Sequence, residues 1–165
     1  MKIIKELKVA DLFTIANAVS GLLSILYAIK GELVIAALLM VLAVLFDFLD
    51  GRIAHHTGTA NDFGKQLDSL SDLISFGIAP AVFGFASGLD GPVHLVVLAF
   101  FVVCGMLRLA RFNILKIRGF LGMPITVNGI LFPVLYFLIP FDTYMLLVYM
   151  LMALLMISDI KIKKI

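Results

Sequence analysis

The stretch LVIAALLMVLAVLFDFLDGRIAH occupies residues 33–55, and it is apolar from Leu33 to Phe46. About 20 mostly apolar residues at about 1.5 Å each cross about 30 Å of hydrocarbon, so this stretch is typical of a membrane-spanning helix. Two aspartates, Asp47 and Asp50, follow within the same stretch. The sequence therefore predicts a spanning helix that carries a pair of carboxylates near its end.

The composition of the whole chain also indicates a membrane protein. Of its 165 residues, 62% are hydrophobic and 15% are charged, whereas soluble domains have about 45–50% and about 25%. These values exclude an ordinary soluble domain, a disordered chain and a collagen-like repeat. The single cysteine, Cys104, excludes a disulfide framework and a cysteine-based metal site. The length is typical of one domain, so residues 1–165 are predicted to form a single membrane domain.

Six apolar stretches separated by turn-forming residues predict an all-α, six-transmembrane-helix bundle. They are Ala10–Ala28, Leu33–Asp50 with an extension to about His55, Asp62–Ala86, His94–Leu115, Ile125–Ile139 and Tyr144–Ser158. The fifth stretch is short, so five or seven spans remain open at this point.

The positive charges favour an even number of spans and predict the orientation. With six spans, twelve of the 13 lysines and arginines fall on the side of the two termini, and only Lys30 falls on the other. Because Lys and Arg are enriched on the cytoplasmic side, both termini are predicted to be cytoplasmic. The chain is thus expected to be an integral protein of the cell membrane.

Four aspartates lie in the second and third predicted spans, where charges are costly and usually functional. At about 100° per residue, Asp47 and Asp50 lie about 60° apart around one helix, and Asp68 and Asp72 lie about 40° apart around the next. Each pair therefore shares a helix face. The connecting loop is short, so the two helices are expected to pack as antiparallel neighbours with both pairs toward the cytoplasmic interface.

Four converging carboxylates require counter-charge, because otherwise several of them would take up protons. Oxygen-only ligands favour Mg²⁺, Ca²⁺ or Mn²⁺ over zinc. Two metal ions bridged by carboxylates suit phosphoryl chemistry, since they neutralise phosphate oxygens. Gly51, Ala54 and Gly64 lie on the carboxylate faces and leave room for a ligand, although small residues in membranes also serve helix packing alone.

The string DFLDGRIAH at residues 47–55, followed by GKQLDSLSD at residues 64–72, strongly resembles the signature of the CDP-alcohol phosphatidyltransferases, DxxDGxxAR and then GxxxDxxxD. The departure is His55, where the family usually has Arg. His carries a charge only part of the time near neutral pH, so Arg52, His56 or Lys65 is an alternative source of positive charge. The six-helix architecture of the family agrees with the predicted spans.

Other segments resemble one branch of that family, the integral-membrane phosphatidylserine synthases. They are TIANAVSG at residues 14–21, DSLSDLISFGIAP at 68–80, LRLARFN at 107–113 and GMPIT at 122–126. The resemblance implies that a serine hydroxyl attacks the β-phosphorus of a CDP-activated lipid and that CMP leaves. The lipid would be diacylglycerol or, in an archaeal relative, archaeol.

The resemblance also implies roles for individual residues. Asp47, Asp50, Asp68 and Asp72 would hold divalent metal, Mg²⁺ or Mn²⁺ and two ions, and Asp72 would also act as the base, although spacing alone does not rank it above Asp68. The residues expected to contact the CDP-lipid are Asn17, Gly51, Arg52, Ala54, His55, Gly64 and Lys65. The expected partners are the CDP-lipid, L-serine, membrane lipids and a second copy in a homodimer, with no nucleic acid.

Two arginines are candidates for binding serine or phosphate. Arg108 and Arg111 are three residues apart, so they share a helix face, and Asn113 follows them. Guanidinium groups hold carboxylates and phosphates through paired hydrogen bonds. An interfacial pair that reaches lipid head groups is the alternative.

Three function classes compete for these features. A membrane prenyltransferase would have Asp-rich motifs on two well-separated helix pairs, and a cation transporter would have acids near mid-membrane and repeated halves. The clustering of the aspartates toward one interface favours the phosphatidyltransferase. Within that family, inositol phosphate and glycerol 3-phosphate are alternative acceptors to serine.

Overall fold

A computed structural model describes residues 8–57, 61–114, 120–139 and 144–162, and the side chains of residues 54–57, 120–121 and 161–162 lie outside that description. The elements in chain order are α1 (Val9–Ile29), α2 (Leu33–Thr57), α3 (Asp62–Asp72), a π-helical segment (Leu73–Ile78), α4 (Ala79–Ala86), α5 (Pro92–Ile114), β1 (Phe120–Leu121), a 3₁₀ turn (Ile125–Val127), α6 (Asn128–Leu138), α7 (Tyr144–Ile157) and β2 (Lys161–Ile162). The all-α prediction is confirmed apart from β1 and β2, which pair antiparallel.

Four helical stretches are long and apolar enough to cross a membrane, so the chain is an integral membrane protein. They are Val9–Ile29, Leu33–Ile53, Asp62–Ala86 and Pro92–Ile114, and each lies within a few residues of a predicted span. The last two predicted spans are also helical, at Ile125–Leu138 and Tyr144–Ile157, but they are shorter. The 14 residues of Tyr144–Ile157 cover about 21 Å at about 1.5 Å per residue. The count of six spans therefore stays a prediction.

A tight turn at Gly31 reverses the chain between α1 and α2. Gly31 has a φ of 81°, which is strained for residues with a side chain. Its N–H donates to the carbonyl of Ala28 at 2.9 Å, and the N–H of Glu32 donates to that of Tyr27 at 2.9 Å. These bonds satisfy carbonyls that the end of α1 would leave unpaired, and they start α2 antiparallel to α1.

Serine hydroxyls fix α1 against α3 and the π-helical segment. Ser71 Oγ donates to the carbonyl of Thr14 at 2.9 Å, and Ser75 Oγ donates to that of Asn17 at 3.0 Å. A Cβ atom at Gly21 would collide with Ser75, so only glycine permits this approach. Small residues and hydroxyl hydrogen bonds are the usual means of helix association in membranes. These contacts set the position of α1 relative to the aspartates of α3.

An aromatic cluster holds α5, α6 and α7 together away from the aspartates. The rings of Phe132 and Tyr149 stack with centroids 4.0 Å apart, and Phe101 meets Tyr149 edge-on at 5.2 Å. The buried hydroxyl of Tyr149 donates to the carbonyl of Pro80 at 2.6 Å. The bond satisfies a polar group that would otherwise be buried alone, and it joins α7 to α4.

Candidate functional site

Three carboxylates from α2 and α3 come together. Asp47, Asp50 and Asp68 each offer one oxygen, and these oxygens all lie within 4.8 Å of one another. Asp50 is buried, while Asp47 and Asp68 are partly exposed. The structure thus brings together three of the four aspartates that the sequence singled out, two from α2 and one from α3.

Asp72, the fourth aspartate, lies beside this group. Its carboxyl group is within hydrogen-bonding reach of Asp47, and its Oδ1 accepts a hydrogen bond from Nδ2 of Asn17 at 3.3 Å. Asp72 is 6% exposed. Asn17 was expected to contact the CDP-lipid, and the structure places its amide against Asp72.

The helix α1 joins the two acid-bearing helices. It packs along α2 and against α3, whereas α2 and α3 approach each other at few positions. The second predicted span meets the third through the π-helical segment and α4, so the two spans are neighbours over that part, and their antiparallel direction stays a prediction. Gly21 and the carbonyls of Thr14 and Asn17 permit close contact of α1 with α3 and the π-helical segment.

The cluster of Asp47, Asp50 and Asp68 is suited to a hard divalent cation. Its negative charges lie close together, and Oδ2 of Asp50 is buried without a hydrogen-bond partner among the residues that the structure describes. A buried carboxylate oxygen that is left unpaired is costly. Mg²⁺, Mn²⁺ and Ca²⁺ take oxygen ligands of this kind, so a cation here would satisfy the oxygen and offset the repulsion.

A pocket of about 210 Å³ opens beside the carboxylates. The residues that line it are Lys8, Ala10, Asp11, Thr14, Asp50, Gly51, Asn61, Gly64, Lys65 and Asp68. Gly51 and Gly64 lie in the wall as the sequence predicted. Sequence reasoning missed Lys8, Asp11 and Asn61. Asp11 and Asn61 stand at helix starts: Asp11 accepts the N–H of Lys8 at 2.8 Å, and Asn61 accepts that of Gly64 at 2.7 Å.

Lys65 and Asn113 join α3 to α5 at the edge of the site. Lys65 Nζ donates to the carbonyl of Asn113 at 3.2 Å. Nδ2 of Asn113 donates to Ser69 Oγ at 3.0 Å and to Oε1 of Gln66 at 3.4 Å. The side chain of Asn113, predicted to bind serine or phosphate, therefore supports the helix that carries Asp68 and Asp72.

Arg108 faces the carboxylates from α5. It is 6% exposed, and its charge interacts with those of Asp47, Asp68 and Asp72. Its Nε is buried and has no hydrogen-bond partner within the described part of the chain. Such an unpaired guanidinium N–H is a donor available to a carboxylate or phosphate of a ligand.

Arg111 lies in different surroundings, although it is only three residues away. Its Nη1 is 2.9 Å from Oδ1 of Asp159, and its Nη2 donates to the carbonyl of Ser158 at 2.7 Å. Arg111 was predicted, like Arg108, to contact serine or phosphate, and in the structure its guanidinium contacts the residues that follow α7. Its charge is used at the end of α7, by an acid that is distant in sequence and was not predicted as its partner.

Three further residues were expected to contact the CDP-lipid. Arg52 is exposed, and its guanidinium lies 5.9 Å from the centre of the Phe48 ring. The side chains of Ala54 and His55 lie outside the described residues. The role of His55, where the resembled signature has Arg, therefore stays a prediction.

An apolar groove of about 420 Å³ runs beside the polar pocket, between α1 and the α3–π segment. Its walls include Val19, Leu22, Leu70 and Ile74, and Thr14 lines both the groove and the polar pocket. A molecule with a charged head and apolar chains would meet carboxylates at one end and hydrocarbon-like surface at the other. This arrangement suits an amphipathic substrate.

Comparisons with known proteins agree with this geometry. The sequence profile of the CDP-alcohol phosphatidyltransferases matches residues 7–162. The chain is 40% identical over 162 residues, 97% of this chain and 76% of the relative, to a protein of Methanocaldococcus jannaschii named CDP-diacylglycerol–serine O-phosphatidyltransferase. It is 47% identical over 134 residues to the archaetidylserine synthase of Methanothermobacter thermautotrophicus, covering 78% of this chain and 58% of that relative. A Bacillus subtilis protein with the first of these names is 35% identical over 130 residues, 76% of this chain and 73% of the relative.

Proposed function

The chain belongs to the CDP-alcohol phosphatidyltransferase family, and from that membership we propose that it is a CDP-lipid:L-serine phosphatidyltransferase. The observation that carries the proposal is the group of Asp47, Asp50 and Asp68, with Asp72 beside it, next to a pocket and an apolar groove. The names of its relatives support serine as the acceptor. The products would be phosphatidylserine, or archaetidylserine when the lipid is archaeol, and CMP.

The reaction exchanges one phosphorus–oxygen bond for another. The serine hydroxyl oxygen forms a bond to the lipid-proximal phosphorus, and the bond from that phosphorus to the bridging oxygen breaks. The bridging oxygen and its electron pair leave with CMP. The hydroxyl proton passes to a carboxylate, because serine is a weak nucleophile without a base nearby.

We assign the role of base to Asp72. Asp72 and Asp50 are the most buried of the four aspartates. Asp72 lies outside the cluster of Asp47, Asp50 and Asp68, whose carboxylate oxygens lie close together. Asp47, Asp50 and Asp68 are proposed as the principal metal ligands, with Asp72 as a further ligand. Two ions, Mg²⁺ or Mn²⁺, would supply charge neutralisation at the phosphates.

Arg108 is proposed to hold the acceptor. Its buried, unpaired Nε is suited to the carboxylate of serine or to the lipid-proximal phosphate, since guanidinium hydrogen bonds to oxyanions are strong. Arg111 is already paired with Asp159, so we assign it a structural role. Asn113 is proposed to act through its hydrogen bond to Ser69.

The substrate lipid is proposed to lie along α1. The diphosphate and cytidine would occupy the polar pocket, near Gly51, Gly64 and Lys65, with Arg52, Ala54 and His55 as further contacts. One chain of the lipid would follow the apolar groove that begins at Thr14. Thr14, which lines both the pocket and the groove, supports this placement.

We further propose six membrane spans with both termini and the active site on the cytoplasmic side. The distribution of lysine and arginine supports this orientation. The short helices Ile125–Leu138 and Tyr144–Ile157 would then be the last two spans of a single catalytic domain, residues 1–165. A homodimer is proposed from family membership.

The test is CMP release from purified protein with Mg²⁺ or Mn²⁺, using CDP-diacylglycerol and CDP-archaeol in separate assays. L-serine, myo-inositol phosphate and glycerol 3-phosphate are supplied in parallel. Release with serine alone is the expected result. Release only with a phosphorylated acceptor would contradict the choice of serine, and no release with any combination would contradict the transferase assignment.

A further inference from the structure

Asn17 makes a contact that family membership does not assign to it. It is completely buried, and its Nδ2 donates to Asp72 Oδ1 across 55 residues of sequence. Its Oδ1 has no hydrogen-bond partner in the described part of the chain. Within the described residues, the side-chain amide of Asn17 is therefore bound to the proposed base.

Two serines near Asp72 also bind the backbone of α1 around Asn17. Ser75 Oγ donates to the Asn17 carbonyl, and Ser71 Oγ donates to that of Thr14 one turn earlier. Ser71 and Ser75 flank Asp72 in sequence. The segment that carries Asp72 is therefore bound to α1, which carries Asn17. Three hydrogen bonds determine the position of Asn17 relative to Asp72.

The backbone also changes at Asp72. Asp72 is the last residue of α3, and the wider π-helical segment Leu73–Ile78 begins directly after it. Such segments are frequent at functional sites. Here the segment directs the hydroxyl of Ser75 toward α1 while Asp72 remains on the site face. The hydrogen bond from Asn17 then occupies one oxygen of the carboxylate and restricts its rotation.

We propose that Asn17 is a positioning residue that orients the carboxylate of Asp72 for the proton transfer. An amide N–H donates to a carboxylate and cannot itself take up the proton, so it fixes the orientation of the Asp72 carboxylate. This inference rests on the proposed function, because the need for a base follows from that reaction. It differs from the expectation that Asn17 contacts the CDP-lipid directly.

The kinetic test separates positioning from substrate contact. Asn17→Leu has nearly the same size but no donor, and Asn17→Ala is the second variant if the first does not fold. We expect kcat to fall about 10- to 100-fold, as is typical when a supporting hydrogen bond to a functional ligand is lost, with KM for the CDP-lipid unchanged. An unchanged kcat, or a raised KM with wild-type kcat, would overturn the proposal.

The matched control is Ser24→Ala. Ser24 is also buried on α1 and donates across a helix interface, to the carbonyl of Ala36 at 2.8 Å, but it contacts none of the four aspartates. We expect this variant to retain the wild-type kcat. A loss equal to that of Asn17→Leu would show that any weakened α1 contact has the same effect, and it would overturn the specific role of Asn17.

A second measurement does not depend on activity. Thermal unfolding of Asn17→Ala, Asp72→Ala and the double variant forms a double-mutant cycle. A contact between the two side chains predicts that the changes in Tm do not add. Additive changes would overturn the proposed pairing. Inactive wild-type protein would contradict the proposed function, while the cycle would still decide whether Asn17 and Asp72 are coupled.

Discussion

The guanidinium of Arg111 forms an ion pair with Asp159, with 2.9 Å between Nη1 and Oδ1. Arg111 also donates to the main-chain carbonyl of Ser158, directly after the last turn of α7. Arg108, one turn away on α5, is buried and faces the aspartates. Helix α5 therefore contacts the end of α7 through Arg111 and places Arg108 beside the aspartates.

Substitution of the two arginines should have opposite effects. Arg111→Gln is expected to lower Tm by at most about 4 °C, because partly exposed ion pairs contribute little, and to leave kcat/KM near the wild-type value. Arg108→Gln is expected to lower kcat/KM for serine at least about 10-fold, because charged hydrogen bonds to a ligand contribute about 1.5–3 kcal/mol. Steady-state kinetics and thermal unfolding check both. The reverse pattern would contradict the assignment of Arg108 to the acceptor.

Gly51→Ala should impair substrate binding without harming the fold. A Cβ atom at Gly51 meets no atom within 4 Å, and alanine is favoured over glycine in a helix by about 1 kcal/mol. The Tm is therefore expected to stay equal or rise. The added methyl group projects from the wall of the pocket, so KM for the CDP-lipid should increase.

Gly64→Ala is the comparison for that variant. A Cβ atom there would lie 3.0 Å from Oδ1 of Asn61 and 3.0 Å from Oδ1 of Asp11. Oδ1 of Asn61 accepts the hydrogen bond that caps α3, and the other oxygen of Asp11, Oδ2, accepts the N–H of Lys8 at the start of α1. We expect a lower Tm together with a higher KM. A Gly51→Ala variant with wild-type KM would argue against substrate in this pocket.

Removal of a single carboxylate should abolish turnover while the protein still inserts in the membrane. Asp68→Asn removes a charge from the group of three, and Asp72→Asn removes the proposed base, so both are expected to reduce CMP release to background. Asp62→Asn is the control, since Asp62 is exposed in the first turn of the same helix. Wild-type rates in Asp68→Asn would remove the metal-site interpretation.

The effect of a bound cation on thermal stability should be measurable without substrate. A cation that binds the folded protein stabilises it by mass action, so Mn²⁺ is expected to raise the Tm of chelator-treated protein. Asp50→Asn should weaken this response, because Oδ2 of Asp50 is the buried oxygen that lacks a partner. Full activity after exhaustive chelation, or an equal rise in Tm for Asp50→Asn, would contradict a metal ion at this position.

The sequence predicted the helices and the acid pairs because both depend on local spacing. Apolar runs and the 3.6-residue period place Asp47 with Asp50 and Asp68 with Asp72. The contribution of α1 to the site was predicted only in part. Asp11 has the sequence pattern of a helix cap and of nothing more. Asn17 contacts Asp72, which lies 55 residues away in the sequence.

Two other features depend on tertiary structure alone. The pairing of Arg111 with Asp159 joins residues 48 positions apart, so counting nearby acids does not reveal it. The π-helical segment after Asp72 has no signal in the hydrophobic pattern, because its i→i+5 hydrogen bonds leave the apolar run unchanged. Both features decide which side chains reach the site, although neither changes the order of the helices.

The most direct test of the central claim uses L-serine labelled with ¹⁸O in its hydroxyl group. Purified protein is incubated with the labelled serine, CDP-lipid and Mn²⁺, and the masses of both products are determined by mass spectrometry. If the serine hydroxyl attacks the lipid-proximal phosphorus, the label is found in the phosphodiester of a serine-containing lipid, and CMP carries none. Label in a CMP ester of serine with release of phosphatidic acid, or no serine-containing product, would contradict the account.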